Sequence, residues 1–155
     1  MEVGDVAPAF ELTADDGSTV RLVDELTHGP VVLFFYPKAM TSGCTAESCH
    51  FRDLASEFAA VGGRRLGISA DAVERQREFS DKHGFDYPLL SDPDRAVAKQ
   101  FGVKRPGPLV NKRATFVIDT DRRVLAVIKS ETKMDKHADE ALAVLRERDS
   151  TAAAG

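Results

Sequence analysis

VVLFFYPKAMTSGCTAESCHFRDLASEFAAVGGRRLGISA, running from Val31 to Ala70, contains three elements in succession. Val31 to Tyr36 is an unbroken run of aliphatic and aromatic side chains, the pattern of a strand buried on both faces. Tyr36-Pro37 closes it, because proline has no N–H for a ladder and restricts the residue before it. Phe51, Leu54, Phe58 and Val61 then recur at helical spacing, so an amphipathic helix is expected from about Gly43 to Val61, stopping at Gly62-Gly63. Arg65 to Ala70 reads as the next strand. Strand, helix and strand make a βαβ unit, whose crossover is expected to be right-handed, and the chain belongs to the α/β class.

The same alternation continues outward. Asp71 to His83 is a second helical stretch ending at Gly84, and the turn-rich SDPD at Ser91 to Asp94 opens a third that ends near Phe101-Gly102. ATFVID, the polar turn TDRR and VLAVIKS read as a hairpin from Ala114 to Ser130, and a last helix is expected from Met134 to Arg148. Near the start, FELTADDGSTVRL sets Asp16-Gly17 between two short alternating runs, the signal of an N-terminal hairpin. No internal repeat or linker interrupts the pattern. At 155 residues the chain has the size of one domain, expected over 1–149, with STAAAG at 150–155 as a frayed, flexible tail.

Net charge is −4, with acidic and basic residues interleaved, which argues against nucleic acid as a partner. MEVGDVAPAF has neither the cationic start nor the long apolar run of a targeting segment, and VVLFFY is too short to cross a bilayer. The expected setting is cytoplasmic, without a membrane partner. In such a reducing compartment two cysteines read as catalytic or metal-binding more readily than as a disulfide framework.

Those cysteines, Cys44 and Cys49, both follow the buried strand. Thr41 and Ser42 are good N-cap residues, so Cys44 falls in the first helical turn, where unpaired N–H groups and the positive end of the helix dipole stabilise a thiolate. Cys44 is therefore the candidate nucleophile. Many lone cysteines are inert packing groups, but this position, with hydroxyl residues before it and a second thiol behind, fits that alternative poorly. If the helix is regular through Cys49, the two Cα atoms stand about 8 to 9 Å apart, whereas a disulfide needs them within about 7 Å. Either the thiols never pair or the first turns unwind to let them. Zinc is disfavoured: Cys44, Cys49 and His50 have a loose spacing, His28, His83 and His137 are scattered, and His50 reads as an exposed helix residue. Nor is there a C-x-x-C dithiol.

At this point the residues resemble a family. Pro37-x-x-x-Thr41-x-x-Cys44 resembles the peroxiredoxin active-site motif, and Glu47, Cys49, Phe51 and Arg52 after it resemble the peroxiredoxin Q, or bacterioferritin comigratory, subfamily. GDVAPAFEL, YPLLSD, RATFVID and HADEAL extend the resemblance over nearly the whole chain. It implies a thioredoxin-like fold of peroxiredoxin type, an N-terminal β-hairpin joined to a central mixed sheet flanked by helices. It further implies a peroxidase for hydrogen peroxide and organic hydroperoxides that needs no metal, haem or flavin cofactor. Carried over by position, Cys44 is the peroxidatic cysteine, oxidised to a sulfenic acid, and Cys49 resolves it as an intramolecular disulfide that thioredoxin or a similar dithiol reductant reopens. Thr41 orients the peroxide, Pro37 shields the pocket, and Arg113 holds the thiolate and polarises the peroxide. The residues alone leave Arg113 level with Lys104, Arg105 and Lys112; the resemblance favours Arg113. Glu47 either pairs with that arginine or supports the helix N-terminus by its charge. Many relatives carry Asp-Thr-Pro-Gly-Cys where this chain has Met40-Thr41-Ser42-Gly43-Cys44, so a more flexible approach to the helix and a more apolar entrance are expected. The expected assembly is a monomer or weak homodimer. The competing function is a redox-responsive binding or regulatory protein in which the same disulfide remodels a surface.

Overall fold

The structure, a computed structural model, describes residues 1–154. At its centre is β3 (Val31–Phe35), every residue of which is buried, as its unbroken apolar run requires. On one side β4 (Arg64–Ser69) lies parallel with Leu33 opposite Leu66, and on the other β6 (Ala114–Ile118) lies antiparallel with Phe35 opposite Ala114. Beyond β4 come β5 (Leu89–Ser91), parallel, and the antiparallel hairpin of β1 (Glu11–Ala14) and β2 (Thr19–Arg21). β7 (Val124–Lys129) pairs outside β6. The result is a mixed seven-stranded sheet in the order β2-β1-β5-β4-β3-β6-β7. The expected βαβ unit, the N-terminal hairpin and the Ala114 to Ser130 hairpin are all present.

Side chains alternate across a strand, and β3 shows it: Val31, Leu33 and Phe35 enter one core cluster, while Val32 and Phe34 enter the other. The first cluster is covered by α1 (Leu22–Leu26) and α5 (Ala96–Gln100). The second is covered by α2 (Ser42–Asp53), α3 (Ala55–Ala60), α4 (Val73–His83) and α6 (Met134–Ala154). Phe34 is the hinge of that layer, stacked on Phe51 of α2 with ring centroids 4.1 Å apart.

Three expectations need correction. The helix from Gly43 to Val61 is two helices, broken at Leu54, whose backbone leaves the helical region at φ −95° and ψ 20°. Nη1 of Arg65 donates to the Phe51 carbonyl at 2.8 Å, replacing an intrahelical partner from the neighbouring strand. The break keeps Phe51 and Phe58 on one face, 5.8 Å apart. Secondly, α6 does not end at Arg148 but continues to Ala154, because the alanines there favour helix and no breaker precedes Gly155. The flexible tail expected at 150–155 is thus helical as far as the described residues go, and Gly155 lies outside them. Thirdly, α1 and β5 were not legible: each is too short for a period to declare itself.

Gly67 of β4 runs beneath the aromatic layer. A Cβ there would lie 2.8 Å from Leu89 Cδ2, 2.9 Å from Phe34 Cζ and 3.2 Å from Tyr36 Cε1. Gly67→Ala is expected to destabilise the protein by about 1–3 kcal/mol through overpacking, read as a lower urea midpoint at unchanged m-value.

Candidate active site

Cys44 is fully buried in the first turn of α2, directly after the β3 strand and its Pro37 stop. Thr41 is the N-cap by backbone conformation, yet its hydroxyl does not cap: Oγ1 donates to the Lys38 carbonyl at 2.8 Å. No side chain caps α2, so its first N–H groups keep their positive potential for the site. Met40, just before, sits at φ +69°, a left-handed conformation that an aspartate tolerates better than a methionine. Asp71 steadies this loop, its Oδ2 accepting the Ala39 N–H at 2.7 Å and the Ser69 hydroxyl at 2.6 Å.

Arg113 arrives from the other side of β3. The pairing of Phe35 with Ala114 places Arg113 beside the end of β3, where α2 begins. Its Nη2 donates to Cys44 Sγ at 3.3 Å and its Nη1 to Glu47 Oε1 at 2.6 Å. The guanidinium side chain is 7% exposed and the carboxylate 0%. Gly43 makes room, since a Cβ there would lie 3.3 Å from Arg113 Nη2. Of the rival cations, Arg105 is engaged by Glu131, whose same oxygen also accepts the Arg113 backbone N–H at 3.0 Å. Burial opposes the charge on Arg113, but Glu47 and Cys44 outweigh it and hold the guanidinium more firmly charged than usual. Burial pushes the Glu47 carboxyl up to about 8, with Arg113 offsetting only part of the effect.

Cys49 has a different environment. It is half-buried, and burial raises its thiol above the ordinary range, with Arg52 working in the other direction. Both cysteines are free. They lie in the continuous helix α2, so helix geometry separates their Cα atoms by about 8 to 9 Å, too far for a disulfide. The segment between them is anchored at several points: Tyr87 Oη donates to the Ser48 carbonyl at 2.7 Å, and Arg52 Nη1 to the His83 carbonyl at 2.6 Å. His50, expected to be an exposed helix residue, pairs through Nε2 with Asp139 of α6 at 2.7 Å.

The structure thus brings Pro37, Thr41, Cys44, Glu47 and Arg113 to one end of β3 and leaves Cys49 on the same helix but out of bonding range. Sequence reasoning missed Glu131, Asp71 and His137 as neighbours of the site. His137 carried the one available signal, lying within HADEAL. Among the described residues no group of three or more His, Cys, Asp or Glu is arranged to hold a metal, and no helix is long and apolar enough to cross a membrane.

A buried arginine on a thiol at the strand-to-helix turn of a thioredoxin-like sheet is the arrangement of thiol peroxidases. The family model described as AhpC/TSA matches residues 3–127, and the chain belongs to that family, the peroxiredoxins. Within it, the chain is 38% identical over 153 residues to peroxiredoxin Bcp of Escherichia coli, covering 95% of this chain and 97% of that one. Peroxidoxin BcpB of Mycobacterium tuberculosis superposes with a TM-score of 0.92 at 58% identity, over 95% of this chain and 97% of its own. The bacterioferritin comigratory protein of Xanthomonas campestris, described for its alkyl peroxide reduction activity, superposes with a TM-score of 0.84 at 33% identity, over 90% and 92% of the two chains.

Removing the Tyr87 hydroxyl should loosen α2 without disturbing the guanidinium. Tyr87→Phe forfeits a hydrogen bond worth about 1 kcal/mol, so amide exchange across α2 is expected to rise about fivefold.

Proposed function

We propose that the protein reduces hydrogen peroxide and organic hydroperoxides with Cys44 as nucleophile and Cys49 as resolving thiol. The observation that carries this reading is the 3.3 Å contact between Arg113 Nη2 and Cys44 Sγ, beside a second thiol that its surroundings keep protonated. A guanidinium favours the thiolate and offers donors to the oxygens where negative charge develops.

In the first step the Cys44 thiolate attacks one peroxide oxygen. The O–O bond breaks, its electron pair leaves with the other oxygen, and that oxygen takes a proton from solvent to depart as water or an alcohol. Cys44 becomes a sulfenic acid, oxidised by two electrons. The Thr41 hydroxyl, its hydrogen committed to Lys38, has lone pairs left to accept the peroxide O–H, and Pro37 walls the pocket without competing N–H groups. In the second step α2 opens locally, the Cys49 sulfur displaces the sulfenic hydroxyl as water, and the disulfide forms. A dithiol reductant such as thioredoxin then returns both thiols and becomes a disulfide itself. We place the cycle in the cytoplasm, where such a donor is available, and on a monomer or weak homodimer, since both thiols needed for a turnover lie on one chain.

Intact mass and free-thiol count after one equivalent of hydrogen peroxide test the cycle. The wild type should lose two hydrogens and both thiols, Cys49→Ser should give a trappable sulfenic acid, and Cys44→Ser should not react rapidly. If the wild type stays reduced as long as Cys44→Ser does, the proposal fails. Arg113→Met is expected to lower the second-order rate constant with peroxide by about a hundredfold, the scale of one lost oxyanion donor, measured by stopped-flow competition.

A further inference from the structure

In the peroxidase reading Thr41 receives the peroxide O–H on the lone pairs of its hydroxyl, and the direction of that hydroxyl is set by the loop before it. Thr41 Oγ1 lies 2.8 Å from the Lys38 carbonyl oxygen, which only accepts, so the Thr41 hydrogen points there. The Lys38 carbonyl belongs to the same peptide unit as the Ala39 N–H. That unit is planar and trans, so its C=O and N–H point in opposite directions and cannot be aimed separately. The Ala39 N–H donates to Asp71 Oδ2 at 2.7 Å. Fixing Asp71 therefore fixes the peptide plane and the carbonyl that receives the Thr41 hydrogen.

The loop is poorly suited to hold this geometry by itself. Residues 39 and 40 form the corner of a turn, and Met40 occupies it at φ +69°, a left-handed conformation unfavourable for a methionine. Asp71, by contrast, is anchored through its side chain and both of its backbone polar atoms. Its Oδ2 also accepts the Ser69 hydroxyl at 2.6 Å, its N–H donates to Ser69 Oγ at 3.2 Å, and its carbonyl accepts the Ser91 hydroxyl at 2.6 Å. Both serines are buried. Ser69 Oγ further accepts from Gln76 Nε2 at 3.0 Å, whose other hydrogen goes to the Leu90 carbonyl at 2.8 Å, while Gln76 Oε1 accepts the Tyr36 hydroxyl at 2.5 Å. No side-chain hydrogen of Tyr36, Ser69 or Gln76 is left without an acceptor, which makes the network stiff. It reaches the chain at Tyr36 and again at Ala39, and so brackets Pro37 and Lys38.

We infer that Asp71 is a positioning residue of the peroxide step: it holds the Lys38–Ala39 peptide so that the Thr41 hydroxyl donates inward and faces the substrate as an acceptor. The inference rests on the peroxidase reading of Cys44 and adds to it a residue that acts through a backbone peptide. With that peptide released, the Thr41 hydroxyl loses its fixed direction. The contact of Arg113 with Cys44 is built from β6 and α2 and does not pass through Asp71.

Two rates at one sulfur test it, in a Cys49→Ser background that leaves Cys44 as the one thiol. Reaction with hydrogen peroxide uses the Thr41 acceptor, whereas alkylation by iodoacetamide uses the Cys44 sulfur without it. Asp71→Ala is expected to lower the peroxide rate constant about tenfold, the scale of one hydrogen bond lost from the transition state, and to leave alkylation within about twofold of its starting rate. Asp71→Asn, whose amide oxygen can still accept the Ala39 N–H, keeps both rates. In a Thr41→Val background Asp71→Ala has no further effect on the peroxide rate, because its effect passes through the missing hydroxyl.

An unchanged peroxide rate in Asp71→Ala, an equal loss of both rates, or an Asp71→Asn as slow as Asp71→Ala overturns the inference. So does a loss that persists without the Thr41 hydroxyl. The wild type supplies a check that needs no variant to fold: the Ala39 amide is expected to exchange with solvent about tenfold or more slower than an unprotected peptide, and exchange at the unprotected rate removes Asp71 from the role. None of these results resembles failure of the peroxidase reading, in which the wild type would consume no peroxide at all.

Discussion

Arg113 is held between β6 and α2 so that two of its nitrogens meet two acids, and the rest of the site is arranged around that division. Its backbone N–H is fixed by Glu131, its Nη1 by Glu47, and its Nη2 is left for Cys44. A guanidinium is suited to this because its donors form a rigid fork; a lysine in its place would present one point charge to both partners. Gly43 permits the close approach, and the uncapped first turn of α2 adds its own positive potential. None of these features is local. They depend on the sheet, which sets β6 antiparallel to β3 with Ala114 opposite Phe35.

The same helix that presents Cys44 also keeps Cys49 away from it. α2 is regular over both cysteines and tied to the body by Tyr87, Arg52, the His50 pair with Asp139 and the Phe34–Phe51 stack. A disulfide between residues five apart could not form without releasing some of these contacts, so the proposed resolution by Cys49 requires α2 to open locally. This gives the two thiols a division of labour. Cys44 is buried against a cation, whereas Cys49 is half-buried and its surroundings favour the protonated thiol.

Much of the fold and part of the site were legible in the order of residues. The buried strand, the Pro37 stop, the two hairpins and the placement of Cys44 in a first helical turn rest on local rules, namely side-chain period, proline geometry and N-terminal preferences, and local rules can be read from neighbours in the chain. α1 and β5 escaped because they are shorter than one clear period. The break at Leu54 escaped because its cause, Arg65 donating to the Phe51 carbonyl, lies on the next strand. Thr41 shows how a local rule can be right about position and wrong about partner: it is the N-cap residue, but its hydroxyl turns to Lys38.

Which cation serves Cys44 could not be read from the residues alone, since Lys104, Arg105, Lys112 and Arg113 stand close together and differ little in composition; it took a resemblance to choose. The sheet register makes the choice physically, because one position before Ala114 lies beside the end of β3 and the others do not. Likewise Glu47 and His137 are separated by most of the chain and meet only because α2 and α6 pack on the same face of the sheet. Periodicity and turn chemistry act between residues near in sequence, so the order of amino acids is enough to announce a thiol at a helix start. Charge sharing, burial and protonation act through space, and they exist only once the chain has closed around them.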